Sequence, residues 1–340
     1  MVKVLWRWSI LAGLFAFLAP QPVFAYDLSF TAMTAADRLL DEEADRWQSV
    51  AHPSAGCEVC DHHREHWDQN ESLFGHGIIR RGERCFDDFI SPMTNPVFFE
   101  DPRTLTEVRF IFLNHNLPAS LSGNSIQVYA AQVRLALTER LSLIATKDGL
   151  IYSQSPIIES GFADLSAGLK YNFYRDPVAG RLLSGGVTFE VPLGTERSLQ
   201  GNGDGEFHFF LTGGTRIGDR SHWLSATGLR QPIDENAENQ VWYWSNHYDY
   251  RIGNLPLYVF SELNWYHWLS SGDAFGPVEG LDLFNFGSSG VTGNNIVTRA
   301  IGLKATPRRN MEVGVAYEFP MTKRKGILSS RWTADLIVRF

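Results

Sequence analysis

The chain has 340 residues, 38 of them acidic and 30 basic, for a formal charge of −8. An acidic surface repels a phosphate backbone, so nucleic acid is not an expected partner. Aromatics make up 13% of the chain and glycines number 30, a balance that favours β structure with turns or a membrane barrel with aromatic girdles.

Residues 1–25 read as a signal peptide. Lys3 and Arg7 precede an apolar run from Trp8 to Ala19, Pro20 and Pro22 end that run, and Val23-Phe24-Ala25 precedes a cleavage point. The run falls short of the roughly 20 apolar residues of a membrane-spanning helix. Its removal takes away two basic residues and no acidic ones, leaving 28 basic against 38 acidic and a charge of −10.

Residues 26–102 form a different segment, expected to lie in the periplasm or to plug a barrel mouth. Thr34 to Val50 has helical spacing, with Leu39, Leu40, Ala44 and Trp47 on one side and Thr34 placed to cap the start. Prolines and glycines then break the pattern up to Pro102, so the rest reads as irregular. Within it, Cys57 and Cys60 form a Cys-x-x-Cys pair, and His62 and His66 are four residues apart, as metal ligands on one helix face would be. A zinc ribbon needs a second cysteine pair and Cys85 is alone; a covalent haem needs histidine where Asp61 stands. No cofactor is expected, and in an oxidising compartment a disulfide among Cys57, Cys60 and Cys85 is the simpler reading beside the metal.

From Arg103 to Phe340 the pattern alternates. Twelve strand-like runs lie near 104–114, 125–137, 139–147, 162–174, 181–193, 205–216, 221–230, 239–251, 255–269, 295–306, 310–319 and 327–340. In the sixth, Phe207, Phe209 and Leu211 oppose Glu206 and His208; in the last, Trp332, Ala334, Leu336, Val338 and Phe340 share a face. Runs of about ten residues with one apolar face are the signature of membrane strands. Long connections (150–161, 193–204, 231–238, 270–294) alternate with tight ones, as external loops and periplasmic turns do. An aromatic-ended last strand resembles the terminal signal of outer-membrane barrels, read by the barrel-assembly machinery. The expected fold is all-β, a transmembrane antiparallel up-and-down β-barrel of about 12 strands in contact with outer-membrane lipid. Its inward face would carry Arg109, Arg134, Glu190, Glu206, His208, Glu262 and Glu312 along a path for a small-molecule solute. In Val241 to Tyr250 aromatics occupy both faces, so some point inward, and stacking on a ligand is possible there. Asn202, Asp204 and Glu206 in Gly201-Asn-Gly-Asp-Gly-Glu206 alternate with glycines as calcium ligands do, but without the closing acid of that motif a glycine-rich turn is the simpler account.

Asp164-Leu-Ser-Ala-Gly-Leu-Lys-Tyr171, Gly186-Val-Thr-Phe-Glu-Val-Pro-Leu-Gly194 and the Gly201–Gly205 loop together resemble the outer-membrane barrels grouped with the meta-pathway phenol-degradation transporters, relatives of the FadL-like channels. The likeness covers 103–340 and not the Cys/His segment. It implies a protein of the cell outer membrane of a diderm bacterium that passes small hydrophobic or aromatic compounds, and not an enzyme. The competing readings are a barrel enzyme of lipase or protease type, for which no serine-centred motif with a nearby histidine is present, and a barrel that mounts a metal-binding or anchoring segment.

Overall fold

A computed structural model of the chain describes Leu73 and residues 77–340. Fourteen strand segments follow one another: β1 (Glu107–Asn116), β2 (Ser125–Ala136), β3 (Leu141–Lys147), β4 (Leu150–Ser153), β5 (Gly161–Phe162), β6 (Leu165–Asp176), β7 (Arg181–Val191), β8 (Glu206–Ile217), β9 (Ser221–Pro232), β10 (Val241–Arg251), β11 (Leu257–Trp268), β12 (Asn295–Arg308), β13 (Met311–Pro320) and β14 (Ser330–Arg339). They make twelve staves. β3 and β4 are one stave, because both pair with β2, through Val133–Ala136 and Ile126–Tyr129 respectively. The break falls at Asp148-Gly149. Gly149 has a φ of 123°, and the Asp148 carboxylate accepts the Ala131 N–H at 2.8 Å, replacing the ladder bond lost there. β5 and β6 are likewise one stave, bridged by Ala163 N–H to the Gly149 carbonyl at 2.9 Å.

Every stave pairs antiparallel with its neighbours, and β14 pairs with β1 from Glu107↔Arg339 to Asn116↔Ser330. The last stave therefore closes the sheet on the first, and the transmembrane up-and-down barrel has no free edge. Tight turns gather at the end where β1 starts and β14 finishes, and the long connections at the other.

The side chains are inverted relative to a water-soluble protein. Phe209 and Leu211 on β8, Leu169 and Phe173 on β6, and Trp223, Trp242, Trp244 and Trp332 all face outward and are exposed. The largest fully buried side chains include Arg103, Arg109, Arg134, Arg230 and Arg331. A barrel in lipid needs this arrangement, because apolar atoms then meet acyl chains and charges stay inside with partners. Four tyrosine and tryptophan side chains of β10 and β11 depart from a simple girdle: Tyr243, Tyr258, Tyr266 and Trp268 are buried in the interior.

The lumen is filled by chain from two directions. At the tight-turn end, Arg80 N–H bonds the Ala136 carbonyl at 2.8 Å and Gly82 N–H the Phe340 carbonyl at 3.1 Å. Residues 83–106 then loop through the interior and return to β1, the limbs joined by Glu83 N–H to the Thr104 carbonyl at 2.9 Å. This plug carries Phe86, Phe89, Ile90, Met93, Phe98 and Phe99, all buried, and turns at Asn95, whose φ is 52°. The wall is small where the plug is large. A Cβ on Gly314 would lie 2.5 Å from Met93 Sδ, and one on Gly214 3.0 Å from the Phe89 ring.

At the other end, the connection 269–294 folds inward as a cap and buries Leu281, Leu283, Phe284 and Phe286. Plug and cap meet around a cavity of about 30 Å³, lined in part by Pro96, Val97, Leu283 and Phe284. The interior of the described barrel is thus a packed core rather than a water-filled pore. In the Gly201–Gly205 loop, positive φ values at Gly201, Gly203 and Gly205 (67°, 62°, 106°) account for the three glycines as turn residues. The signal peptide, the helix expected at 34–50 and the residues Cys57, Cys60, His62 and His66 lie outside the described residues.

Candidate functional site

The site is the seam between plug and wall. All seven residues expected to face the lumen do so and are buried: Arg109, Arg134, Glu190, Glu206, His208, Glu262 and Glu312. None lines an open path here, because each is bonded to the plug, the cap or another stave.

One network is a ladder of alternating charge. Plug Glu100 is held by Lys170 at 2.7 Å and Arg134 at 2.6 Å, and Arg134 also holds Glu107 at 2.9 Å. Arg339 joins Glu107 at 3.0 Å to Glu312 at 2.5 Å. Lys304 joins Glu312 at 3.2 Å to Asp335 at 3.0 Å, and Asp335 ends the ladder on Arg109 at 2.9 Å. The wall thus supplies five cations (Arg109, Arg134, Lys170, Lys304, Arg339) and three anions (Glu107, Glu312, Asp335), an excess of two positive charges. The plug answers with Glu100 and Asp101, less Arg103, which binds Asp101 at 2.7 Å.

A second network crosses β8 to β11. Asp88 of the plug takes Arg216 at 2.7 Å and His222 Nε2 at 3.0 Å; His222 Nδ1 faces Asp249 at 2.9 Å. Asp249 faces His247 Nε2 at 3.3 Å, whose Nδ1 meets Glu262 at 2.7 Å. Glu262 returns to the plug, accepting the N–H groups of Met93 (2.7 Å) and Thr94 (2.6 Å) and the Thr94 hydroxyl. A carboxylate only accepts, so an imidazole between two of them needs hydrogen on both nitrogens. His222 and His247 are therefore held as imidazoliums, and with Arg216 they balance Asp88, Asp249 and Glu262. Both ends of this relay grip the plug.

Of the remaining expected residues, His208 and Glu206 hold the plug tip and the cap, and Glu190 pairs within the wall. Tyr243 hydroxyl donates to the Phe98 carbonyl at 2.8 Å and so accepts from His208 Nε2, also at 2.8 Å. The Phe98 ring packs on Tyr243 and under the Arg230 guanidinium, so the inward aromatic of β10 stacks on the plug. Glu206 pairs with Arg230 at 2.7 Å and accepts from Asn285 of the cap at 2.6 Å; Glu190 pairs with Lys147 at 2.5 Å. Arg331 holds cap Asp282 at 2.8 Å and wall Glu318 at 2.6 Å. Buried Cys85 accepts from Arg175 at 3.1 Å.

Glu100 gives the plug a pH limit. Burial pushes its carboxyl up, but Arg134 and Lys170 outweigh burial and hold it down from 4.5 to about 2. A depressed carboxyl stabilises the seated plug fully above its unfolded value and loses that contribution as pH falls through the folded one, here on the order of 3 kcal/mol. Pepsin, which cuts beside phenylalanine in acid, is expected to leave Phe98-Phe99 intact at about pH 4.5 and to cut there as pH approaches about 2; equal cutting at both would contradict this.

No protein-family model matches the chain, and no curated protein matches it. Solved structures do. An outer membrane channel from Pseudomonas putida F1 is 12% identical, with a TM-score of 0.52 over 74% of this chain and 100% of that one. The KdgM porin in complex with disordered oligogalacturonate is 10% identical (TM-score 0.43; 69% of this chain, 99% of that one), and the NanC porin 9% (0.44; 69% and 98%). The chain has the fold of the outer-membrane β-barrel channels.

Proposed function

We propose that this chain is an outer-membrane channel held closed by its own plug and cap, passing a small solute when the plug withdraws and the cap packed against it follows. The observation that carries the reading is how the lumen is filled. A narrow sealed barrel fills itself with wall side chains, whereas here the wall is thinned to glycine at 214 and 314 beneath Phe89 and Met93 of an inserted segment. Withdrawal of that segment would leave a space lined by the polar inward face. The outward apolar belt suits the lipid of an outer membrane. The sequence likeness to the phenol-degradation transporters and FadL-like channels would make the solute a small hydrophobic or aromatic compound.

The enzyme alternative is less favoured. His222 and His247 each give both ring nitrogens to carboxylates, leaving neither to activate a serine hydroxyl as a hydrolase base would. The test is solute flux in proteoliposomes. Swelling in isosmotic small solute is expected with the full chain and is expected to accelerate with Asp88→Ala, which unfastens one end of the relay. Liposomes that never swell with either protein would sink the channel reading.

A further inference from the structure

Glu100 is bound as a ligand is bound. Arg134 grips its two oxygens side-on, Nε to Oε1 at 2.8 Å and Nη2 to Oε2 at 2.6 Å, and Lys170 Nζ adds a third donor to Oε1 at 2.7 Å. All three side chains are at least 98% buried. A planar guanidinium fork with an ammonium beside it is a carboxylate-recognition geometry. Both cations belong to the wall, while the carboxylate belongs to the plug.

When the plug withdraws, the pair stays behind without that carboxylate, on a wall ladder already carrying two more cations than anions. Only Glu107, on the other side of the Arg134 guanidinium at 2.9 Å, then remains to this pair, and two clustered cations with one anion between them favour a new anion in the place of the one removed. We propose that Arg134 and Lys170 form the solute-binding site of the channel, that its solute is a small organic carboxylate, and that Glu100 is the plug's imitation of it. This rests on the channel reading and narrows its solute to one whose small hydrophobic or aromatic body carries a carboxylate: that carboxylate competes with Glu100 for the three donors and so helps unseat the plug.

The test is chemical rescue in the full-length protein. Glu100→Ala leaves the donors facing a vacated side-chain volume, and trypsin cleavage after the buried Arg103 reports plug release. Propionate is expected to slow that cleavage in Glu100→Ala by about tenfold, the effect of ~1.4 kcal/mol of restored pairing, while neutral propionamide leaves it unchanged. In the wild type the sign reverses: propionate speeds cleavage relative to chloride at equal ionic strength, a measurement that stands even if Glu100→Ala does not fold. If propionate matches chloride in the wild type and propionamide in the variant, the site is overturned. Rescue by propionate in a protein that passes no solute would overturn the channel and leave the carboxylate site standing; solute flux without rescue would do the reverse.

Discussion

Glu262→Ala is expected to release the tip of the plug while leaving the ring of staves intact. The carboxylate is buried and receives four donors: the N–H groups of Met93 and Thr94, the Thr94 hydroxyl and His247 Nδ1. Its loss orphans two backbone donors at about 1–3 kcal/mol each. It also strips the His247 imidazolium of one of its two anions, and breaking a buried pair costs roughly 3–5 kcal/mol. Even ~3 kcal/mol is a factor of about one hundred in the released fraction. Trypsin cleavage after Arg103 is therefore expected to accelerate by about that factor. The staves are held by backbone ladders that Glu262 does not touch, so the folded barrel should keep its anomalous mobility on unheated gels. Unchanged cleavage at Arg103 would show that the relay does not seat the plug.

Deleting Phe340 is expected to act on assembly instead. Its N–H bonds the Thr106 carbonyl at 2.9 Å and its carbonyl accepts Gly82 N–H at 3.1 Å. The first is the last bond of the closing seam, and the second ties the plug's path inward to it. Two bonds at about 1 kcal/mol each, with the outward ring lost to lipid, amount to on the order of tenfold or more in the closed state. The fraction of protein reaching the folded form in membranes should fall accordingly. Normal assembly without Phe340 would contradict the role given to the terminal stave.

The wall was legible in the sequence because each inward–outward choice repeats every second residue. In β14, Trp332, Ala334, Leu336 and Val338 face out while Arg331, Thr333, Asp335 and Ile337 face in, and twelve runs correspond to twelve staves. The split of β3 from β4 was not, since one aspartate bonding one orphan N–H leaves no periodic trace. A plug was one of the two expectations for 26–102, but its path was hidden for a different reason. Phe86, Phe89, Phe98 and Phe99 follow no strand or helix period because they pack inside a polar lumen, between prolines that read as irregular chain. A signal for the cap did exist: Leu281, Leu283, Phe284 and Phe286 are too apolar for a connection exposed to water. His247 and Asp249 sit two apart on the inward face of β10, masked by the aromatics around them. That Glu100 pairs with Arg134 and Lys170 required the threading of the plug, which no local pattern encodes.

The claim on which the account rests is that the plug is a removable closure of a wall that would otherwise conduct. Currents through planar bilayers holding the full-length protein test it most directly. The wild type is predicted to be closed for most of the record with brief openings, and Glu262→Ala to be open for a fraction about one hundredfold larger. A Glu262→Ala protein that trypsin cuts after Arg103, yet that passes no more current than the wild type, would contradict it.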